Sequence, residues 1–259
     1  MSVLDQFSLT GKVAVVTGGT GLYGTPFATA LAEAGAHVIV TSRHAETARQ
    51  GAAELREHGG SASGEQLDLA DEASISAFHQ TVLDAHGRID VLVNNAVHRA
   101  GGTLAGTSAA DWDATSAVNS RGLFLVTQAV AATMTEQRAG SIVNIGSIYG
   151  LVGPDFPMYE GTDKTSPLFY AYDKAGMGGF TRYLASALGR HGVRVNCLCP
   201  GGLYSGQKQT FVDAYSARVP LGRMATESDV TGALVFLASD ASAYVTGVAL
   251  PVDGGWTAR

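Results

Sequence analysis

The stretch from residue 12 to residue 34 limits the possible folds more than any other part of the chain. It opens on Val13-Ala14-Val15-Val16, passes directly into Thr17-Gly18-Gly19-Thr20-Gly21-Leu22-Tyr23-Gly24, and continues at helical spacing through Phe27, Ala30 and Leu31 to Ala34. Four consecutive apolar residues lack the alternation of a strand with one wet face, so they suit a strand covered on both sides, as in a parallel sheet. Strand, glycine turn and helix in immediate succession leave free N–H groups and the positive end of the helix dipole facing the turn, which makes a cradle for a phosphate. The candidate cradle residues are Gly18, Thr20, Gly21, Leu22, Tyr23 and Gly24. Glycines alone would mark only a tight turn, and it is their place between a first strand and a first helix that points to a bound dinucleotide.

The rest of the chain repeats the same alternation. Strands are predicted at 12–16, 37–41, 90–94, 141–145, 193–198 and 248–252, with a weaker one at 64–67; helices are predicted at 23–34, 45–58, 74–86, 111–137, 170–191 and 227–238. This order gives an α/β fold: one doubly wound sheet of seven parallel strands flanked by helices, with ligands at the carboxyl ends of the strands. No linker or repeat interrupts residues 1–259, and 46% hydrophobic residues can fill one core, so a single domain is expected.

Charge and composition narrow the function. A net charge of −6 without any run of Lys or Arg removes the attraction that holds proteins to nucleic-acid phosphates or anionic membranes, so neither is an expected partner. The first twelve residues mix Asp5, Gln6 and Ser8 with apolar ones and do not read as a signal peptide. The longest apolar stretch, 122–134, is interrupted by Thr127 and Gln128 and is shorter than the ~20 residues of a membrane span. Cys197 and Cys199 lie two apart in a predicted strand, on one face and poorly placed for a disulfide, which suggests reduced core thiols and a cytoplasmic location. The seven His and two Cys show no ligand spacing, so no metal is expected.

The second strand ends Thr41-Ser42-Arg43-His44, without the carboxylate that NAD-preferring dinucleotide folds place on the ribose 2′-hydroxyl. Ser42 and Arg43 could instead bind a 2′-phosphate, which favours NADP, with NAD as the alternative if Arg43 only stacks on adenine. Tyr170 and Lys174 have a Tyr-x-x-x-Lys spacing, which puts both on one face of the predicted helix 170–191. A phenol is a weak base at neutral pH, its reference pKa being ~10, and a neighbouring ammonium favours its ionised form. Such a pair can pass a proton to or from an alcohol oxygen, and Ser147, just past the strand 141–145, could polarise the same oxygen.

With these residues in view, the chain resembles the short-chain dehydrogenase/reductase family from Leu9 to Trp256. Besides the glycine loop, Ser147 and Tyr170-x-x-x-Lys174, the resemblance rests on Leu67-Asp68-Leu69, Asn94-Asn95-Ala96, Val118-Asn119, Pro200-Gly201 and Val252-Asp253-Gly254-Gly255. It implies a Rossmann-like domain and an NAD(P)-dependent oxidoreductase acting on CH–OH groups, with Asn119, Ser147, Tyr170 and Lys174 as catalytic residues. Asp68 and Leu69 would touch adenine, Asn95 and Ala96 would lie beside the cofactor, and Lys174 would bind the nicotinamide ribose. Pro200, Gly201, Leu203 and Ser205 would line the nicotinamide, and Asn119 would hold a water linking Lys174 to solvent. The family also implies a homo-oligomer, tetramer or dimer, through long helices; Ala171, Ala175, Gly178, Gly179 and Ala185 suit such packing or contact with the sheet. The chain departs from the family pattern at Leu22 and Val97, where glycine is usual, and at Ser205, where threonine is.

An insertion at 153–167 and a variable segment at 203–220 set the substrate side apart. The run Ile148-Tyr149-Gly150, Pro154-Asp155-Phe156 and Tyr159-Glu160-Gly161-Thr162 resembles a gluconate-5-dehydrogenase-like, sugar-modifying branch, so a sugar, sugar acid or cyclitol is the expected substrate. Tyr149, Asp155, Tyr159 and Glu160, with His98 and Arg99 past the fourth strand, are the candidate substrate residues; the insertion could equally be a subunit contact. Two other readings stand beside this one: a 3-oxoacyl-(acyl-carrier-protein) reductase, hinted at by Lys208, Arg218 and Arg223, and a non-catalytic NADP-sensing protein.

Overall fold

The computed structural model describes residues 2–100, 102–162 and 165–258. Its sheet contains β1 (Val13–Val16), β2 (His37–Ser42), β3 (Ser61–Gln66), β4 (Val91–Asn94), β5 (Gly140–Ile145), β6 (Val193–Pro200) and β7 (Ala249–Val252), in the spatial order β3-β2-β1-β4-β5-β6-β7. Every pairing is parallel. The order reverses between β1 and β4, and this switch point opens a crevice at the carboxyl ends of both strands.

The pleat divides the apolar run of β1 between two cores. Ala14 and Val16 join Phe27 and Leu31 of α1 (Gly24–Glu33), Ala52 and Leu55 of α2 (Ala45–Glu57), and Leu234 and Leu237 of α8 (Glu227–Ala238) on one face. Val13 and Val15 join Phe78 and Val82 of α3 (Glu72–His86), Val130 and Met134 of α5 (Leu123–Gln137), and Ala185 of α6 (Leu168–Leu188) on the other. Full burial of each large side chain contributes about 1.5–3 kcal/mol, so both faces are held by many such terms. Ala185 is thus a sheet contact, whereas Ala175 and Gly179 on the same helix are exposed.

Two departures from the expected helices bear on function. The helix predicted at 111–137 begins earlier, as α4 (Ala109–Ser116), behind a capping box in which Ser108 and Asp111 bond each other's backbone N–H. It then widens into a π-turn over Ala117–Gly122 before α5 begins. The cause lies across the chain: Asn119 turns inward to bond His98 and Asp173, while Arg121 donates to the Ala70 carbonyl at 2.8 Å. The second departure is α7 (Gln209–Ser216), a helix not predicted, which buries Phe211 and Tyr215. Among the described residues no helix is long and apolar enough to cross a membrane.

Candidate active site

One cavity of about 1060 Å³ runs along the carboxyl ends of the strands, from Ser42 and Arg43 to Ser147, Tyr170 and Lys174. Its floor is the turn between β1 and α1. Gly18 there has φ +60°, and a Cβ on it would stand 3.1 Å from the Ala96 Cα. A Cβ on Gly24 would lie 2.1 Å from the Gly18 carbonyl oxygen, so helix and loop touch backbone to backbone. Asn95 staples the turn to β4, its Nδ2 donating to the Thr17 and Gly18 carbonyls at 2.9 and 3.0 Å. Tyr23 stacks on Phe27, 5.6 Å between centroids, and donates its hydroxyl to the Gly201 carbonyl at 2.8 Å. The length of the cavity, the glycine cradle and the uncapped start of α1 fit a dinucleotide.

At the end of the cavity beside β2, Arg43 is exposed on the rim and Ser42 lines it. Asp68 is the only carboxylate among the described lining residues, and its Oδ1 already accepts the Ala70 N–H at 2.9 Å. Leu69 is buried beside it.

At the other end, Ser147 follows β5 in an extended conformation, is buried, and accepts the Tyr149 N–H on its Oγ at 3.2 Å. Tyr170 enters from the first turn of α6, and Lys174 follows one turn later with its Nζ 5.6 Å from the Tyr170 ring centroid. The buried Lys174 Nζ donates to the Ile145 carbonyl at 2.6 Å. Burial pulls its ammonium below the ordinary lysine range, and the Tyr170 phenol opposes that pull. Arg99 also lies over this ring, its guanidinium carbon 5.1 Å from the centroid.

The remaining wall is aromatic. The Tyr149 and Tyr159 hydroxyls are 2.9 Å apart, Tyr159 packs on Phe211 at 5.5 Å, and Tyr215 stacks on Trp256 at 4.6 Å. The Tyr215 hydroxyl accepts the Gly202 N–H at 2.5 Å, and burial pushes its pKa up to about 12, so it stays neutral. A side chain at 202 would strike the Tyr215 ring, 2.9 Å from a Cβ.

Most of the sequence candidates meet in this cavity: the loop residues 18 and 20–23, Ser42, Arg43, Asp68, Leu69, Asn95, Ala96, His98, Arg99, Ser147, Tyr149, Tyr159, Tyr170, Lys174, Pro200, Gly201 and Leu203 all line it. Others do not. Gly24 is packed behind the loop, and Asn119 is buried behind the wall. Asp155 is taken by an ion pair with the Arg218 Nε, which ties the insertion to the end of α7. Glu160 is exposed away from the cavity. Ser205 is exposed in a turn closed by Gln207, and Gln207 lines the cavity in its place. Lys164 and Asp163 of the insertion lie outside the described residues. Phe211, Tyr215 and Met224 were not singled out from the sequence, although Phe211 and Tyr215 have the four-residue spacing of a buried helix face.

Comparison with known proteins agrees with this arrangement along the whole chain. A family profile described as enoyl-(acyl carrier protein) reductase matches residues 23–257. D-threitol dehydrogenase of Mycolicibacterium smegmatis is 37% identical over 264 residues, covering 100% of this chain and 98% of the relative. A 3-oxoacyl-(acyl-carrier-protein) reductase of Aquifex aeolicus is 34% identical over 96% of this chain and 99% of its own. The crystal structure of a gluconate 5-dehydrogenase from Burkholderia cenocepacia, in complex with NADP and tartrate, superposes with a TM-score of 0.91 at 32% identity, over 100% of both chains. Seven parallel strands in this order and relatives matched over nearly their full length lead to one conclusion: the chain belongs to the short-chain dehydrogenase/reductase family and is an oxidoreductase of that family.

Proposed function

We propose that this protein is an NADP(H)-dependent oxidoreductase that interconverts an alcohol and a carbonyl on a polyhydroxylated small molecule, with a sugar acid as the first candidate and a sugar or cyclitol next. The observation that carries the reading is the convergence of Ser147, Tyr170, Lys174 and Arg99 at one end of the cavity whose other end is the glycine loop and Arg43. The bound nicotinamide supplies or accepts the hydride. In the reducing direction Ser147 Oγ orients the carbonyl oxygen, and the Tyr170 hydroxyl gives it a proton as negative charge develops. Lys174, held by the Ile145 carbonyl, favours the phenolate that remains, and the wide turn at Asn119 bounds the side on which a water returns the proton. Arg99 supplies a positive charge beside the reacting centre, which suits a carboxylate on the substrate, while Tyr149 and Tyr159 offer hydroxyls and apolar ring faces to a polyol.

NADP is favoured because Ser42 and Arg43 line the cavity at the end of β2, where no carboxylate would repel a 2′-phosphate. Arg43→Asp is expected to weaken NADPH by at least about tenfold and to change NADH little, the loss of one charged hydrogen bond being about 1.5–3 kcal/mol. Fluorescence titration of both cofactors measures this, and equal losses would remove Arg43 as the discriminator. On the substrate side, Tyr159→Phe should lower kcat/KM by up to about tenfold, while the exposed Glu160→Ala should leave it unchanged.

Acyl-carrier-protein recognition has less support. Of the three cations near the variable segment, Arg218 is paired with Asp155 and Arg223 with Asp229, which lowers the net positive charge this face offers an acidic partner. Cytoplasmic location and a homo-oligomer, dimer or tetramer, complete the proposal; the exposed Phe124, Tyr172 and Tyr183 on α5 and α6 suit a subunit contact. Screening sugar acids, sugars and cyclitols against a 3-oxoacyl thioester for absorbance change of NADPH separates the two substrate classes. Turnover of the thioester alone would overturn the sugar reading.

A further inference from the structure

We propose that Asp173, inside the Tyr-x-x-x-Lys segment, is a positioning residue: through Asn119 its carboxylate fixes the loop after β4 that lays Arg99 on the Tyr170 ring. The inference rests on the reading of Tyr170 and Arg99 as parts of the reacting centre.

Asp173 is half-buried on α6, and its Oδ2 accepts a hydrogen bond from Asn119 Nδ2 at 2.8 Å. The second Nδ2 proton goes to the His98 carbonyl at 3.0 Å, and Asn119 Oδ1 accepts the His98 N–H at 2.8 Å. An amide has two donor protons and one acceptor oxygen, and here each has a partner. Asp173 also fixes which way round the amide sits. In the flipped orientation the amide oxygen would face a carboxylate and a carbonyl, and the NH₂ group would face the His98 N–H.

Both main-chain polar groups of His98 are therefore held by one side chain, and that side chain is held by Asp173. The next residue is Arg99, whose guanidinium carbon is 5.1 Å from the Tyr170 ring centroid. The contacts close a circuit from α6, through the π-turn and the loop, back to α6 three residues before Asp173. Holding a carboxylate there is costly: burial pushes the Asp173 carboxyl up, while bonds from Asn119 and Ser120 and the charge on Lys174 pull it down. A residue that served only to fill the helix surface would not need this charge.

Trypsin reads the loop directly, because it cleaves after Arg99, and it needs no substrate of the enzyme. Asp173→Ala in the full chain should raise the rate of cleavage after Arg99 by about tenfold, the scale of one lost charge-assisted hydrogen bond. Cleavage at the other arginines, Tm and NADPH affinity should stay near wild type. Asp173→Asn keeps an oxygen that can accept from Asn119 and should restore slow cleavage. With D-gluconate and NADP as the kinetic probe, Asp173→Ala should raise KM more than it lowers kcat, and Asp173→Asn should recover KM. Wild-type cleavage in Asp173→Ala, failure of Asp173→Asn to rescue, or faster cleavage at every arginine with a falling Tm overturns the proposal. If the wild type does not oxidise D-gluconate, the sugar-acid reading is weakened, and the cleavage data still decide the role of Asp173.

Discussion

Replacing Tyr170 by Phe is expected to lower turnover by about 10²–10⁴-fold, the usual contribution of a positioned general acid or base. The substitution deletes one oxygen. The ring that Arg99 covers and Lys174 approaches remains, so packing at the start of α6 should survive. NADPH should bind within about twofold of wild type, because no part of the glycine loop or the rim at Arg43 is touched. Steady-state kcat and a fluorescence titration of the same preparation separate the two effects. A variant that turned over at a near-normal rate would refute the assignment of the proton to Tyr170. One that lost turnover and NADPH together would show that the phenol holds the cofactor instead.

The second large effect is expected at Gly24. Its missing Cβ would lie 2.1 Å from the Gly18 oxygen and 2.8 Å from the Gly19 carbonyl carbon and Cα, all main-chain atoms that cannot swing aside like a flexible side chain. Gly24→Ala must therefore push α1 and the loop apart. Overpacking of this kind costs about 1–3 kcal/mol, which for a domain of this size lowers Tm by about 2–4 °C per kcal/mol. Because the displaced atoms form the proposed phosphate cradle, NADPH affinity should fall by more than about tenfold. Gly232→Ala is the control. That glycine lies in α8 with no atom within 4 Å of a Cβ, so the substitution should be neutral or stabilise by up to about 1 kcal/mol. Calorimetry and cofactor titration on both variants test the contrast, and equal behaviour would mean that the loop yields more easily than its contacts indicate.

The features read correctly from the sequence are those encoded by neighbours along the chain. The Val13–Val16 run names a doubly covered strand, the glycines after it name a turn, and the four-residue spacing of Tyr170 and Lys174 puts them on one helical face. The features missed depend on partners far away in sequence. Nothing near Asn119 marks a π-turn, because the turn is widened by bonds to His98 and Asp173, 21 and 54 positions distant. The short α7 has a buried stripe of only two aromatic side chains, Phe211 and Tyr215, and its other supports come from Gly202 and Trp256. The insertion shows the same limit in another form. Its residue types suggest polar contacts with a ligand, yet Asp155 is spent on Arg218 and Glu160 faces solvent, and only the folded chain distinguishes those uses from that of Tyr159.

The place of β7 at the far edge of the sheet has a consequence for synthesis. The Gly201 N–H bonds to the Val252 carbonyl at 3.0 Å, and Tyr215 leans on Trp256, so two walls of the cavity depend on residues translated after every other strand. The glycine loop is bonded to Thr41 of β2 and to Asn95 after β4, which emerge in the first hundred residues, but its Tyr23 reaches the Gly201 carbonyl after β6. A single sheet of this kind folds as a unit, and parallel sheets close slowly because their contacts span long stretches of chain. The cavity walls at Gly201 and Tyr215 therefore cannot be completed until β7 has been translated and docked. A fusion that hinders docking of β7 should lower turnover, because those walls lose their support.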